Sequence, residues 1–166
     1  MKTSTRELLL ESVHKTLLLN GSNKTTIKEI AKNAGVNHGL VHHYFSSKED
    51  LFIAVLIYKN GAFCESINNI SENEDIEKVL SKFIIPNLML LIEFTNLANS
   101  MPKLQVELGN RLNITRNVIG KHYNIKCVEK QKVLLASLLG FLVHSRIDHN
   151  LSLNDYVRNL VSLLNR

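Results

Sequence analysis

The chain has 166 residues, 45% of them hydrophobic and 21% charged, with a formal net charge of +5. That length supports one substantial core or two small cooperating domains, and the balance is that of a globular protein rather than a disordered or fibrous one. No run of uncharged apolar residues is long enough to cross a membrane, and the N-terminal leucine run is interrupted at Glu11 with no small-residue cleavage pattern behind it, so neither a membrane partner nor a secretory signal is expected.

Cys64 and Cys127 lie far apart in apolar or mixed surroundings, which suits two buried, reduced thiols in a cytoplasmic protein better than a disulfide framework. The basic excess is spread along the sequence. Residues 1–50 hold seven Lys/Arg against five Asp/Glu, and the remainder thirteen against ten. Four of the seven histidines (His14, His38, His42, His43) nevertheless fall in the first fifty residues. Such a charge permits nucleic-acid binding without demanding it.

Two prolines and seven glycines are the only strong breakers, and the aliphatic residues recur at helical rather than alternating spacing, so the expected fold is all-α. Ser4-Thr5-Arg6-Glu7 has capping-box spacing and opens a helix whose stripe, Leu9, Val13 and Leu17, ends at Asn20-Gly21. A polar stretch, Ser22 to Thr25, leads to a second box, Thr26 to Glu29. Behind it Ile27, Ile30, Ala31 and Ala34 form the buried face of a short helix, and Gly35 suits its left-handed end. Asn37 can cap a third helix, His38 to Tyr44. Ser47-Lys48-Glu49-Asp50 opens a longer fourth one toward Ile67 or Ile70.

The acidic Ser71–Asp75 stretch is a start signal for a helix from about Ile76 to Leu97, which Pro86 should kink or split. Pro102 suits a first helical position in a segment reaching about Tyr123, with a break possible at Gly109. A long helix from Val128 toward His149 and a final one, capped at Ser152 and ending near Asn165, complete the chain. Phe83, Phe94 and Phe141 read as core.

Residues 26–45, TIKEIAKNAGVNHGLVHHYF, have the anatomy of a helix-turn-helix. Ala31 and Ala34 allow close helix approach, Val36 fills the corner, and Val41 and Phe45, four apart, turn one side of the second helix inward. His38, Gly39, Leu40, His42 and His43 are left facing outward. His38 and His42 share the four-residue spacing of a metal pair, but zinc needs three or four ligands and no cysteine is near; no catalytic nucleophile or cofactor motif accompanies them either.

The pattern Thr26…Ile30-Ala31…Ala34-Gly35-Val36-Asn37-x-Gly39-x-Val41-x-x-Tyr44-Phe45-x-Ser47-Lys48-Glu49-x-Leu51 resembles the DNA-binding signature of TetR/AcrR-type transcriptional regulators, with the likeness running from residue 4 to about 56. The resemblance implies a three-helix DNA-binding domain over residues 1–47 and a C-terminal helical bundle over residues 48–166 for ligand binding and dimerisation. Thr26 and Lys48 would hold phosphates, and Asn37 would cap a recognition helix whose start favours anions. Gly39 would let that start approach DNA, and Leu40 would pack on a thymine methyl. His38, standing where relatives often carry Lys or Arg, would contact a base edge or phosphate. His42 replaces a frequent tyrosine, and His43 and Tyr44 complete the surface. Phosphates favour protonated imidazole, so binding should weaken as pH rises.

Among the later helices, Glu93, Asn96, Tyr123 and His144, with His122 and Arg146, are polar groups on apolar segments and candidates to line a ligand cavity. Leu134, Ser137, Leu138 and Phe141 on the long helix, and Tyr156, Val157, Leu160 and Leu164 on the last, suggest burial against a partner subunit as well as a core. By resemblance the chain is a homodimeric, ligand-responsive repressor reading a palindromic operator on double-stranded DNA, with half-sites about 34–36 Å apart. A small-molecule effector of unknown identity would alter the spacing of the two heads. It is not an enzyme and needs no cofactor. The alternative is a helical protein-interaction module that kept the fold and lost sequence-specific DNA binding.

Overall fold

The computed structural model describes residues 4–21, 24–70, 74 and 76–166, and all regular structure among them is helical. The N-terminal helices form where local caps dictate. In α1 (Thr5–Asn20) the Ser4 hydroxyl accepts from the Glu7 amide while the Glu7 carboxylate accepts from the Ser4 amide. In α2 (Ile27–Ala34) only the threonine half of the expected box forms: Thr26 Oγ1 accepts from the Glu29 amide, and the Glu29 carboxylate lies 4.0 Å from Lys32 Nζ. Asn37 Oδ1 accepts from the Gly39 amide at 2.8 Å to start α3 (His38–Tyr44), and Ser47 Oγ accepts from the Asp50 amide to start α4 (Lys48–Asn68). Ser22 and Asn23, and Ser71–Asn73 and Asp75 of the acidic start signal, lie outside the described residues.

The expected Ile76–Leu97 helix is α5 (Ile76–Val79), a π segment (Leu80–Ile84) and α6 (Ile85–Ala98). Pro86 supplies no amide and its ring crowds the carbonyl four residues earlier. The chain answers with one wider turn, in which the Ile85 amide reaches Leu80 O, and this turn divides α5 from α6. Leu80–Ala98 has a mean hydropathy of 1.2, high enough by length and composition for a membrane span, but it carries Lys82 and Glu93 and buries Leu88, Leu91 and Phe94 in protein. Next, α7 (Pro102–His122) runs through Gly109 unbroken. Then α8 (Val128–His144) stops five residues before His149, where the Asp148 carboxylate takes the Asn150 amide into a turn. The last helix, α9 (Leu153–Leu164), starts on the Ser152 hydroxyl.

The chain divides into two compact units, Met1–Lys59 with Leu90–Arg111, and Asn60–Met89 with Leu112–Arg166. In the first, α1 packs on α2 and α2 on α3. Leu9, Leu10, Val13, Leu17, Ile30 and Val41 are removed from water, each contributing about 1.5–3 kcal/mol. Buried hydroxyls stitch the pair: Ser12 Oγ donates to Ile30 O at 2.7 Å, and Asn33 Nδ2 donates to Thr16 Oγ1 at 2.8 Å. Phe52 of α4 meets Phe94 edge to face, ring centres 6.1 Å apart.

In the second unit α8 packs on α9, and Leu134, Leu138, Phe141 and Val157 lie in the chain's own core. That core also holds a polar triad. Asn60 Nδ2 donates to Thr115 Oγ1 at 2.8 Å and to Asn87 Oδ1 at 3.3 Å, and all three side chains are buried. Neither cysteine is buried as expected: Cys64 is half-buried, and Cys127 is exposed at the residue preceding α8, outside the apolar stripe that begins one turn later. Phe94 and Phe141 are core, whereas Phe83 is half-buried under the Lys82 ammonium.

Candidate nucleic-acid interface

Gly35 makes the corner between α2 and α3. With φ +67° and ψ 29° it occupies the left-handed region, its amide donates to Lys32 O, and the Val36 amide donates to Ala31 O. These two bonds consume carbonyls that α2 would otherwise leave unpaired, and they fix the angle at which α3 departs. Val41 (1% exposed) and Phe45 (6%) then anchor one side of α3 in the core.

His38, Gly39, Leu40, His42 and His43 are exposed on α3, as the spacing predicts, and Tyr44 is exposed as the resemblance implies. The rings of His38 and His42 meet edge to face at 5.6 Å, and those of His43 and Tyr44 at 5.2 Å. The surface therefore offers four aromatic rings with polar edges, and Leu40, 39% exposed, as its apolar element. A Cβ on Gly39 would lie 3.3 Å from Asn37 Oδ1, so glycine there also leaves room for the capping bond itself.

Around this face lie groups suited to phosphates. Thr26 is exposed, and its Oγ accepts the Glu29 amide, which leaves its O–H free to donate outward. Lys48 is half-buried, its Nζ 5.3 Å from the centre of the Phe52 ring, and loss of hydration lowers its pKa. Arg6, which the sequence places only within the capping box of α1, sets its guanidinium 5.5 Å from the Phe45 ring centre, where an exposed cation is held against the end of α3. Nothing in its sequence position signalled this, because the contact spans 39 residues. Among the described residues no three His, Cys, Asp or Glu side chains converge as a metal site.

The candidate ligand-lining residues are divided between the two units. Glu93 and Asn96 belong to the first unit, and Tyr123 and His144 to the second. Asn96 and His144 are exposed. Tyr123 is buried, its hydroxyl has no hydrogen-bond partner among the described residues, and burial pushes its pKa well above the usual phenol range. A cleft of about 570 Å³ in the second unit is lined by Ile67, Asn68, Ile70, Val118, Lys121, His122 and Asn124. Of these only His122 was singled out from sequence. It is partly desolvated, which lowers its pKa, and Asn124, at φ +55°, ends the helix beside it. Of the interface residues, Leu134, Leu138, Phe141 and Val157 are already buried within one chain, and Tyr156 donates its phenol to Ser137 O at 3.2 Å. Ser137, Leu160 and Leu164 are half-buried, while Val133, Val143 and Leu163 are exposed on the same helices.

Comparison with known proteins agrees with this geometry. Residues 9–55 match the family model for bacterial regulatory proteins of the tetR family. The fatty acid metabolism regulator protein of Bacillus subtilis (strain 168) is 26% identical over 173 aligned positions, covering 95% of this chain and 88% of that protein. A TetR transcriptional regulator from Legionella pneumophila superposes with a TM-score of 0.76 at 18% identity, covering 99% of this chain and 97% of its own. The multidrug binding protein EbrR complexed with ethidium superposes with a TM-score of 0.72 at 16% identity, covering 97% of this chain and 98% of its own. These relatives are regulators and binding proteins rather than enzymes. Residues 9–55 thus carry a tetR-family regulatory module running from α1 into α4, and the fold of solved regulators extends over nearly the whole chain.

Proposed function

We propose that this regulator is a cytoplasmic homodimeric repressor that reads a palindromic operator with α3 and releases it when a small molecule binds. The observation that carries the reading is the outward face of α3, where His38, Leu40 and His42 stand exposed on a helix anchored by Val41 and Phe45. Thr26, Asn37, Gly39, His43, Tyr44 and Lys48 complete the contact surface. A DNA-reading head at residues 1–47 and a ligand-binding and dimerising portion at 48–166 is the division that fits this role.

Dimerisation is supported by the unpartnered apolar surface of α8 and α9. Val133 is 51% exposed, Val143 49% and Leu163 60%, on helices whose opposite sides are core. Leu134, Ser137, Leu138, Phe141, Tyr156, Val157, Leu160 and Leu164 form the layer behind that surface. Effector binding is supported by the cleft around His122 and by the Tyr123 phenol, nearby in sequence and without a hydrogen-bond partner among the described residues. EbrR, a multidrug binding protein of the same fold, forms a complex with ethidium. An effector can release DNA only to the extent that it binds the released form more tightly.

Selection of bound duplexes from a random-sequence pool tests the reading. A palindromic site is the expected product. Folded protein that enriches no sequence would instead favour an interaction module that has kept the fold alone.

A further inference from the structure

In the Ser47-Lys48-Glu49 stretch at the start of α4, Ser47 caps the helix and Lys48 belongs to the DNA-reading surface, whereas Glu49 serves neither. Glu49 Oε1 accepts from the Lys103 amide at 2.8 Å and from the Leu104 amide at 3.2 Å. These are the second and third residues of α7, and both helix starts lie in the first unit.

The reason a distant carboxylate is needed there lies in the sequence before α7. Met101 occupies the capping position, its carbonyl taking the Gln105 amide, and its thioether is too weak an acceptor to satisfy the free amides of the first turn. Pro102 has no amide to satisfy, so Lys103 and Leu104 are the donors left over, and Leu104 is fully buried. A carboxylate on two amides at a helix N-terminus is a charge-assisted pair favoured by the helix dipole. Here it is supplied 54 residues away. The same turn of α4 carries Lys48 over the Phe52 ring, and Phe52 meets Phe94 edge to face. Only Phe45 to Ser47 separates that turn from the end of α3.

We propose that Glu49 is a positioning residue for DNA reading: it pins the first turn of α7 to the first turn of α4, so that the recognition helix keeps its place only while α7 keeps its own. The proposal rests on the DNA-binding reading given above. It assigns Glu49 no contact with DNA.

The test uses the full-length protein and the duplex it selects. Glu49→Ala should weaken binding about tenfold while leaving the slope of log affinity against log salt unchanged, because no phosphate contact is lost. Lys48→Ala should reduce that slope by about one. Met101→Asp in the Glu49→Ala background gives α7 a local cap. It should restore thermal stability without restoring affinity, whereas a merely structural role predicts recovery of both. Wild-type affinity in Glu49→Ala, or joint recovery in the double variant, overturns the proposal. Amide hydrogen exchange supplies a readout independent of DNA. In Glu49→Ala, exchange should quicken at Lys103 and Leu104 and also through His38–Tyr44. Unchanged protection across His38–Tyr44 overturns the proposal, whereas absence of any selected duplex with altered protection there would sink the DNA reading alone.

Discussion

Replacing Gly35 isolates the corner between α2 and α3 more cleanly than any other substitution. Its φ of +67° places an L-residue in the left-handed region, yet a Cβ built there meets nothing within 4 Å. The cost of Gly35→Ala is therefore backbone strain without a packing clash, about 1 kcal/mol, with a ceiling of about 2. Gly35→Asn should cost a few tenths, since asparagine tolerates this conformation, and Gly35→Val should exceed the alanine variant because a branched Cβ tolerates it least. For a chain of this size each kcal/mol lowers the melting temperature by about 2–4 °C. Urea melts at one fixed protein concentration, needed because association adds to apparent stability, should rank the variants wild type, Asn, Ala, Val. Equal stability of the Asn and Ala variants, or a neutral Ala variant, would refute the assignment of Gly35 to a left-handed end.

Removing the Asn37 cap by Asn37→Ala leaves the Gly39 amide without its 2.8 Å acceptor; a loss of about 1 kcal/mol is expected, with weaker binding to a selected duplex in a mobility-shift titration. Thr115→Val keeps the shape of the buried triad but deletes the acceptor for Asn60 and Asn87. Destabilisation of about 1–3 kcal/mol is expected in chemical melts, and a neutral result would mean that the two amides find other partners. Burial first, and the Lys59 ammonium second, hold the His14 imidazole below its usual range, with Glu11 opposing. The native state then binds fewer protons than the unfolded chain, so this contribution is complete above about pH 6.5 and is lost as the pH falls toward the native value. His14→Gln should flatten the decline in melting temperature between neutral and mildly acidic buffer, and an unchanged decline would remove His14 from the cause.

The features legible in the sequence were those whose causes are local. Ser4, Thr26, Asn37, Ser47 and Ser152 each cap a helix through a group two or three residues away, and Gly35 marks its own corner. The outward face of α3 follows from Val41 and Phe45 alone. Pro86 was legible as a disturbance but not as a π segment, since a kink and a widened turn both remove the same hydrogen bond. The Glu49 cap on α7, the Arg6 contact with Phe45 and the Asn60–Asn87–Thr115 triad join residues 27 or more positions apart, and no spacing rule reaches them. The same holds for the cleft, where Asn68 and Asn124 carry no sign in sequence of facing a common space. Cys127 misled because its apolar neighbour Val128 is itself 49% exposed.

The central claim, that the outward face of α3 reads base edges, is tested most directly by selecting duplexes in parallel with the wild-type protein and with His38→Ala and Leu40→Ala. The account predicts one palindrome from the wild type, and from each variant the same palindrome with preference relaxed at symmetry-related positions, where a lost contact costs about 1–3 kcal/mol. An identical site with identical preferences from all three proteins would contradict it.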